Sequence, residues 1–344
     1  MRKDNLSIAL NIQKDAPLLV ACPSGHTNTA SLLLQFNADV SQCDNYGRSP
    51  LYVACRRGYM YTAKLLLQNN ANVFQCNKEL ESPLNVGCAN GHTPTVNLLL
   101  QNNADVSHCN NNKVSSLHLA CEGGYTDTAK LLLQNNADVF QCNKDLESPL
   151  HLACANGHTP TVNLLLQNNA DVSQCNKSGK STLLVACEGG YKDTVELLLQ
   201  NNADVNQCNE YGTSPLLVAC AGGYEDIVEL LLQNSADVSQ CNSSRESPLY
   251  VACREGNVNT VKIVLQNNAS VSQCDQYGGQ SQLHIVCDID SLNTYLIYYT
   301  DDENETDFDK KFPLYLEIVK LLIEGNADIN LCNKKRPNTI RYCP

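Results

Sequence analysis

Basic residues are in short supply. Lys and Arg number 24 against 36 Asp and Glu, a net charge of −12. No Lys/Arg-rich stretch longer than Lys334-Lys335-Arg336 occurs, whereas a nucleic-acid binder is expected to carry a basic excess or patch. DNA and RNA are therefore disfavoured as main partners. Long apolar runs are missing too: nothing approaches the roughly 18 consecutive apolar residues that read as a membrane span. The stretch after Met1-Arg2-Lys3-Asp4 is interrupted by Asn11, Lys14 and Asp15 and makes a poor signal peptide. There is no C-x-x-C pair for zinc, no G-x-x-x-x-G-K-S/T loop and no G-x-G-x-x-G turn for nucleotides. A disordered chain is also excluded, since 43% of residues are hydrophobic and 17% charged.

What is present is repetition. A Ser-Pro-Leu-x-x-Ala-Cys string, allowing substitutions, puts its Leu at Leu18, Leu51, Leu84, Leu117, Leu150, Leu183, Leu216 and Leu249, each step being 33 residues, and Leu283 follows after 34. A second string, Leu-Leu-Leu-Gln-Asn-Asn-Ala-Asp-Val, puts its Ala at Ala38 and every 33 residues to Ala269, then at Ala327, 58 later. The difference leaves an insertion of 24 residues at about 289–312, inside the ninth copy. Residues 1–10 are then a leader, 11–332 an array of nine units, and 333–344 a truncated tenth unit or C-terminal cap. A fixed period of this length predicts one stacked array, not two or three separate domains.

One unit explains why. In residues 44–76, Asp44-Asn45-Tyr46-Gly47-Arg48 is turn chemistry, because Asn and Gly tolerate positive φ. Ser49-Pro50 predicts a helix start, with Ser as N-cap and Pro at the first helical position. Leu51, Val53 and Ala54 give that short helix a buried face, and Gly58 ends it. Ala63, Leu66 and Leu67 at helical spacing predict a second helix over roughly 60–69. Thr93-Pro94 and Thr159-Pro160 predict N-caps for two of the other second helices. Asn70 predicts a left-handed cap where the chain leaves the second helix. Two such helices cannot bury enough surface alone, but stacked neighbours build a continuous apolar core.

At these residues the chain resembles the ankyrin repeat family. Gly-x-Ser-Pro-Leu-x-x-Ala-Cys-x-x-Gly-Tyr and Leu-Leu-Leu-x-x-x-Ala-Asp-Val carry the resemblance over about residues 11 to 340. It implies an all-α repeat solenoid of stacked antiparallel helix pairs with projecting β-hairpin loops. It also implies protein binding through the hairpin tips and the inner helices. The sequence departs from the family pattern in places. Ser mostly replaces Thr at the first cap. The His of T-P-L-H survives only at His118, His151 and His284. The hairpin Gly is replaced by Leu80, Lys113, Leu146 and Arg245, so those tips need another turn or left-handed strain.

Of the 19 cysteines, all but Cys343 fall in two repeat slots, one running from Cys22 to Cys287 and the other from Cys43 to Cys332. Equivalent positions on stacked helices lie about 8–10 Å apart, beyond the roughly 7 Å between Cα atoms that a disulfide spans. The thiols are therefore expected to stay reduced, the helical set as small buried hydrophobes, in a cytoplasmic or nuclear reducing compartment. His118/Cys121, His151/Cys154 and His284/Cys287 stand at i,i+3, yet each offers only two ligands, so no metal and no cofactor is expected. All seven His occupy repeat slots. No nucleophile, base and acid converge, and no catalytic residue is assigned.

Function is then sought where the units differ. Tyr and Arg are favoured binding anchors. The turn tips carry Tyr46, Arg48, Glu79, Glu81, Asp145, Glu147, Tyr211 and Tyr277. The first helices carry Tyr52, Arg56, Arg57, Tyr250 and Arg254. Together these form the candidate partner-binding face. Residues 62–110 nearly repeat at 128–176, with six aligned differences, which doubles an acidic tip pair, Glu79/Glu81 and Asp145/Glu147. The insertion holds Tyr295, Tyr298 and Tyr299, then an acidic run from Asp301 to Asp309. Such a run either stays solvated or docks a basic partner. The expected function is a monomeric, non-enzymatic scaffold or adaptor that binds a protein, not nucleic acid, and does not insert into membranes. The alternative is the recognition array of a larger protein, such as a ubiquitin-ligase substrate receptor, a kinase or a channel.

Overall fold

The computed structural model describes residues 16–272, 280–287 and 307–331, with side chains from 313 onward in the last stretch. It divides into two units, Met1–Asp171 and Val172–Pro344, taken in turn. The first holds α1 (Pro17–Ala21, followed by a 3-10 turn, Cys22–Ser24) and α2 (Thr27–Gln35), α3 (Pro50–Arg56) and α4 (Met60–Gln68), α5 (Pro83–Ala89) and α6 (Thr93–Gln101), α7 (Ser116–Glu122) and α8 (Thr126–Gln134), and α9 (Pro149–Ala155) and α10 (Thr159–Gln167). The second holds α11 (Thr182–Glu188) and α12 (Lys192–Gln200), α13 (Pro215–Gly222) and α14 (Glu225–Gln233), α15 (Pro248–Glu255) and α16 (Val258–Gln266), and α17 (Gln282–Cys287) and α18 (Asp307–Glu324). Within each unit, first helices stack on first helices and second helices on second. The fold is an all-helical array of stacked helix pairs, as the resemblance implies.

Local chemistry sets each first helix. Ser49 Oγ accepts the Tyr52 N–H at 3.1 Å, with Pro50 in the first turn. At Ser82, Ser115 and Ser148 the side chains of Asn85, His118 and His151 return the bond, completing a capping box. Leu51, Ala54, Cys55, Ala63 and Leu66 are buried, while Val53 and Leu67 are half-buried. Each fully buried Leu contributes on the order of 2 kcal/mol. Asn70 leaves its helix at φ 63°, and Asn37, Asn103, Asn136, Asn169, Asn202 and Asn268 do likewise.

The second helices start differently from the expectation. Thr93 and Thr159 lie inside their helices, whose N-cap positions are His92 and His158, and no side chain caps either N-terminus. Thr93 spends its hydroxyl elsewhere: it bonds Thr128 Oγ1 of the next repeat at 2.7 Å. Thr27 pairs with Thr62 and Thr126 with Thr161, both at 2.8 Å. These pairs span 35 residues, and the position 35 before Thr95 is Met60. Thr95 Oγ1 is consequently buried without a partner. Thr95→Val is expected to stabilise the protein by about 1 kcal/mol, because it removes an unmet hydroxyl at constant shape. Thr128→Val is expected to cost about as much. Urea denaturation of both variants checks this, and a loss at Thr95 equal to that at Thr128 contradicts it.

The projecting loops are hairpins reduced to their closing turns. Asp44 N bonds Arg48 O at 3.1 Å, and Asp44 Oδ1 accepts from Tyr46 N and Arg48 N, both at 2.9 Å. Isolated bridges pair Cys109 with Ser115 and Cys175 with Ser181. The arms are too short for a ladder. Where glycine is missing, the turn is kept and the strain accepted: Leu80, Lys113, Leu146 and Arg245 sit at φ 57°, 58°, 59° and 62°. The left-handed penalty is about 1–2 kcal/mol, partly offset by the chain entropy that glycine adds to the unfolded state. Lys113→Gly is therefore expected to stabilise by about 0.5–1 kcal/mol in thermal melts; a lowered Tm would show that this tip is unstrained.

In the ninth copy, Tyr315 stands 58 residues after Asn257. Its hydroxyl donates to Arg254 O at 3.1 Å, as Asn257 Nδ2 donates to Ala221 O at 3.1 Å one repeat earlier. The repeat register is therefore restored at Tyr315. The α18 helix begins eight residues upstream of it, at Asp307, within the range expected for the insertion. The aromatic residues Tyr295, Tyr298 and Tyr299 and the acidic residues up to Glu305 lie outside the described residues.

Candidate partner-binding face

Neighbouring tips are tied to one another through the backbone. In the first unit, Lys78 N bonds Tyr46 O at 3.0 Å, Asn111 N bonds Glu79 O at 3.1 Å and Lys144 N bonds Asn112 O at 3.0 Å. In the second, Glu210 N bonds Ser178 O at 3.3 Å and Ser243 N bonds Tyr211 O at 2.8 Å. Each set of tips is therefore a hydrogen-bonded row that holds its side chains at a fixed spacing.

On the first row, Tyr46 is exposed and Arg48 stacks over its ring, 4.8 Å from the centroid. Asp44 Oδ2 holds both Arg48 Nε and Nη2 at 2.6 Å, which fixes the stack. Arg56, Arg57, Glu79 and Asp145 are exposed, while Glu81 and Glu147 are half-buried. Glu147 Oε2 accepts from Asn143 Nδ2 at 3.0 Å.

Tyr52 is not the exposed anchor that its type suggests. It is only 3% exposed. Its hydroxyl donates to Glu81 Oε2 at 2.8 Å, and Asn77 Nδ2 bridges the two at 3.1 and 2.7 Å. Burial, then the Glu81 bond, pushes the phenol upward. Tyr52 and Glu81 thus spend their polar atoms joining two repeats. Tyr250 is likewise buried in the second unit. The third position of a first helix faces the next repeat, so residue type alone misplaces its occupant.

Also in the second unit, Tyr211 stands exposed on a tip. Arg254 is half-buried between Glu246 and Glu255. Tyr277 lies outside the described residues. The exposed candidates are Tyr46, Arg56, Arg57, Glu79 and Asp145 in the first unit and Tyr211 in the second. Sequence reasoning passed over Phe74 and Phe140 and took Leu80 and Leu146 only as turn residues; all four are exposed. The available signal was Phe standing where other repeats carry Ser41, Ser107, Ser173 and Ser239.

The helical cysteines Cys22, Cys55, Cys88, Cys121, Cys154, Cys187, Cys220 and Cys253 are buried free thiols. Burial pushes them up, to about 12 at Cys22 and Cys88, and thiols held protonated are poor nucleophiles. His118 is buried with Nδ1 against Ser115 and Nε2 3.1 Å from Glu147 O. Among the described residues, no group of three or more His, Cys, Asp or Glu is placed to hold a metal ion. Nor is any described helix long and apolar enough to cross a membrane.

Comparison with known proteins bears on the same arrangement. A family model described as ankyrin repeats, in three copies, matches residues 3–77, 63–143, 84–176, 117–209, 150–242 and 183–275. The crystal structure of the human ASB11 ankyrin repeat domain is similar, with 25% identity and a TM-score of 0.59, over 65% of this chain and 99% of that one. No curated protein sequence matches significantly. The period, the serine-capped helix pairs, the left-handed turns and these matches agree: the chain belongs to the ankyrin repeat family, whose repeats generally serve as protein-interaction modules.

Proposed function

We propose that the chain is a non-enzymatic scaffold that binds a protein partner through its tip rows and adjoining first-helix ends. The observation that carries this reading is the Tyr46–Arg48 stack, an aromatic and a guanidinium fixed by Asp44 on an exposed tip. Such pre-ordered anchors lose little entropy on binding. The set comprises Tyr46, Arg48, Arg56, Arg57, Glu79 and Asp145 in the first unit and Tyr211 in the second. Tyr52 and Tyr250, being buried, stand outside it. The buried protonated thiols favour a reducing compartment, the cytoplasm or nucleus, where the chain acts as a monomer. Affinity purification with quantitative mass spectrometry tests the reading. At least one protein enriched by the wild-type chain is expected to fall at least tenfold with the Tyr46→Ala/Arg48→Ala variant. An enrichment profile identical for both chains overturns it.

A further inference from the structure

Two repeats of the second unit close an ion pair between the tip and the end of the first helix, eight residues further on. Lys180 Nζ holds Glu188 Oε2 at 2.9 Å, and Arg254 Nη1 holds Glu246 Oε1. Elsewhere the same two slots carry at most one charge, as Glu81/Ala89, Val114/Glu122, Glu147/Ala155 and Thr213/Ala221. In the repeat of α3 and α4 they carry Arg48 and Arg56. A spacing that pairs opposite charges in other repeats here brings two guanidiniums together. Burial and the Glu81 bond push the Tyr52 phenol up, and both guanidiniums pull it back, so both lie close to that ring. Arg48 gives Nε and Nη2 to Asp44, which leaves its Nη1 hydrogens for another acceptor. Arg56 and Arg57 are exposed, and among the described residues neither forms an ion pair. Like charges held side by side oppose each other until an anion comes between them.

We infer that Arg48, Arg56 and Arg57 form a receptor for carboxylates, and that the partner protein offers it an acidic segment bearing Asp or Glu. This rests on the scaffold reading above and specifies the chemistry of its partner. Local charge selects the occupant. Residues 40–104 hold Arg48, Arg56, Arg57, Lys64 and Lys78 against Asp44, Glu79 and Glu81. Two of those three carboxylates are spent, Asp44 on Arg48 and Glu81 on Tyr52 and Asn77. The third, Glu79, is matched by Lys78 on the same tip. The helix pairs α1 to α6 carry no Asp or Glu at all, so Arg56 and Arg57 are left unneutralised. The net charge of −12 does not cancel this patch, because exposed charges beyond about 8 Å are screened at physiological salt. A narrow acidic segment meets the patch alone, whereas a second copy of this chain brings its own excess of acids and is repelled. Carboxylate is also the anion that these slots hold in other repeats, at Glu188 and Glu246.

The probes are three fluorescein-labelled Gly/Ser peptides that differ only in a central block of glutamates, glutamines or phosphoserines, and fluorescence anisotropy reads their binding to the full chain. The glutamate probe is expected to bind at least tenfold tighter than the glutamine probe, since guanidinium bonds to a carboxylate are charge-assisted. Arg56→Glu is the decisive variant. Glu122 and Glu188 already occupy that slot, and a glutamate there faces Arg48 as Glu188 faces Lys180, so the variant closes its own bridge and keeps its fold. It is expected to bring the glutamate probe down to the glutamine level. Lys130→Glu makes the same change in net charge at an exposed position of α8 and is expected to leave the glutamate probe within about twofold of wild type. Equal affinity for the glutamate and glutamine probes, or equal effects of the two variants, overturns the proposal. A phosphoserine probe held at least tenfold tighter than the glutamate probe overturns it in favour of a phosphorylated partner. A wild-type dimer in light scattering that Arg56→Glu dissolves overturns it in favour of a second copy. Absence of any glutamate preference while the Tyr46→Ala/Arg48→Ala dependence of the affinity purification persists would remove this inference and leave the scaffold reading standing.

Discussion

Gly91→Ala is expected to destabilise the protein by about 3 kcal/mol, while Gly87→Ala, in the same repeat, stabilises it by about 1 kcal/mol. The two glycines look alike in sequence and differ in what surrounds them. Gly91 sits at φ 66°, and a Cβ there would meet Tyr125 Cδ1 at 2.4 Å and Cγ at 2.7 Å. Those atoms are the rigid base of the ring. The ring is also closed in from behind, since a Cβ on Gly123 would meet its Cε2 at 2.3 Å. Alanine at 91 therefore brings the left-handed penalty of about 1–2 kcal/mol together with an overpacking penalty of about 1–3 kcal/mol. Gly87 lies within α5, where a Cβ would meet Val96 Cγ2 at 3.2 Å. The duplicated repeat shows how that contact relaxes: Ala153 occupies the matching position, with Val162 in the slot of Val96, both fully buried. The gain is the helix preference of alanine over glycine, about 1 kcal/mol. Urea titrations of the two variants decide the matter. A Gly91→Ala protein as stable as wild type would mean that the ring stacked on the preceding repeat contributes nothing.

These contrasts show where the sequence is informative. The helix pairs, serine caps, asparagine caps and buried cysteines were legible because each depends on a residue and its near neighbours. Ser49 caps whatever follows Pro50, and Asn70 turns left-handed because few other side chains tolerate it. The threonine pairs were not legible. Thr93 reads as a cap by local rules, and only the position of Thr128 in the adjacent repeat diverts its hydroxyl. Tyr52 failed as an exposed anchor for the same reason, since Glu81 and Asn77 come from the next repeat. Leu80 and Lys113 were legible only as a choice between a new turn and a strained one. The neighbouring tips decide it: Asn111 N on Glu79 O and Lys144 N on Asn112 O require the original turn shape. What a repeat does alone is readable from sequence, and what it does to its neighbour requires the stack.

His118 makes the stack sensitive to acid. Burial pulls its pKa from the ordinary 6.5 down to about 4, against the opposing pull of the Glu147 carbonyl. The neutral ring completes the cap at Ser115 and reaches Glu147 O of the next repeat. Protonation would put a charge where no carboxylate accepts it directly. The unfolded chain takes up this proton first as pH falls, so the contribution is complete above about pH 6.5. It is lost between there and about pH 4, and amounts to about 3 kcal/mol over that window. His118→Asn separates this effect from the titration of the carboxylates. Asn85 occupies the same slot one repeat earlier, where its Oδ1 accepts the Ser82 N–H at 2.9 Å, so the capping box survives without a titratable ring. Between pH 7 and pH 4 the wild-type chain is expected to lose about 3 kcal/mol more stability than the variant. Parallel stability curves would mean that the ring of His118 titrates as freely in the folded chain as in the unfolded one.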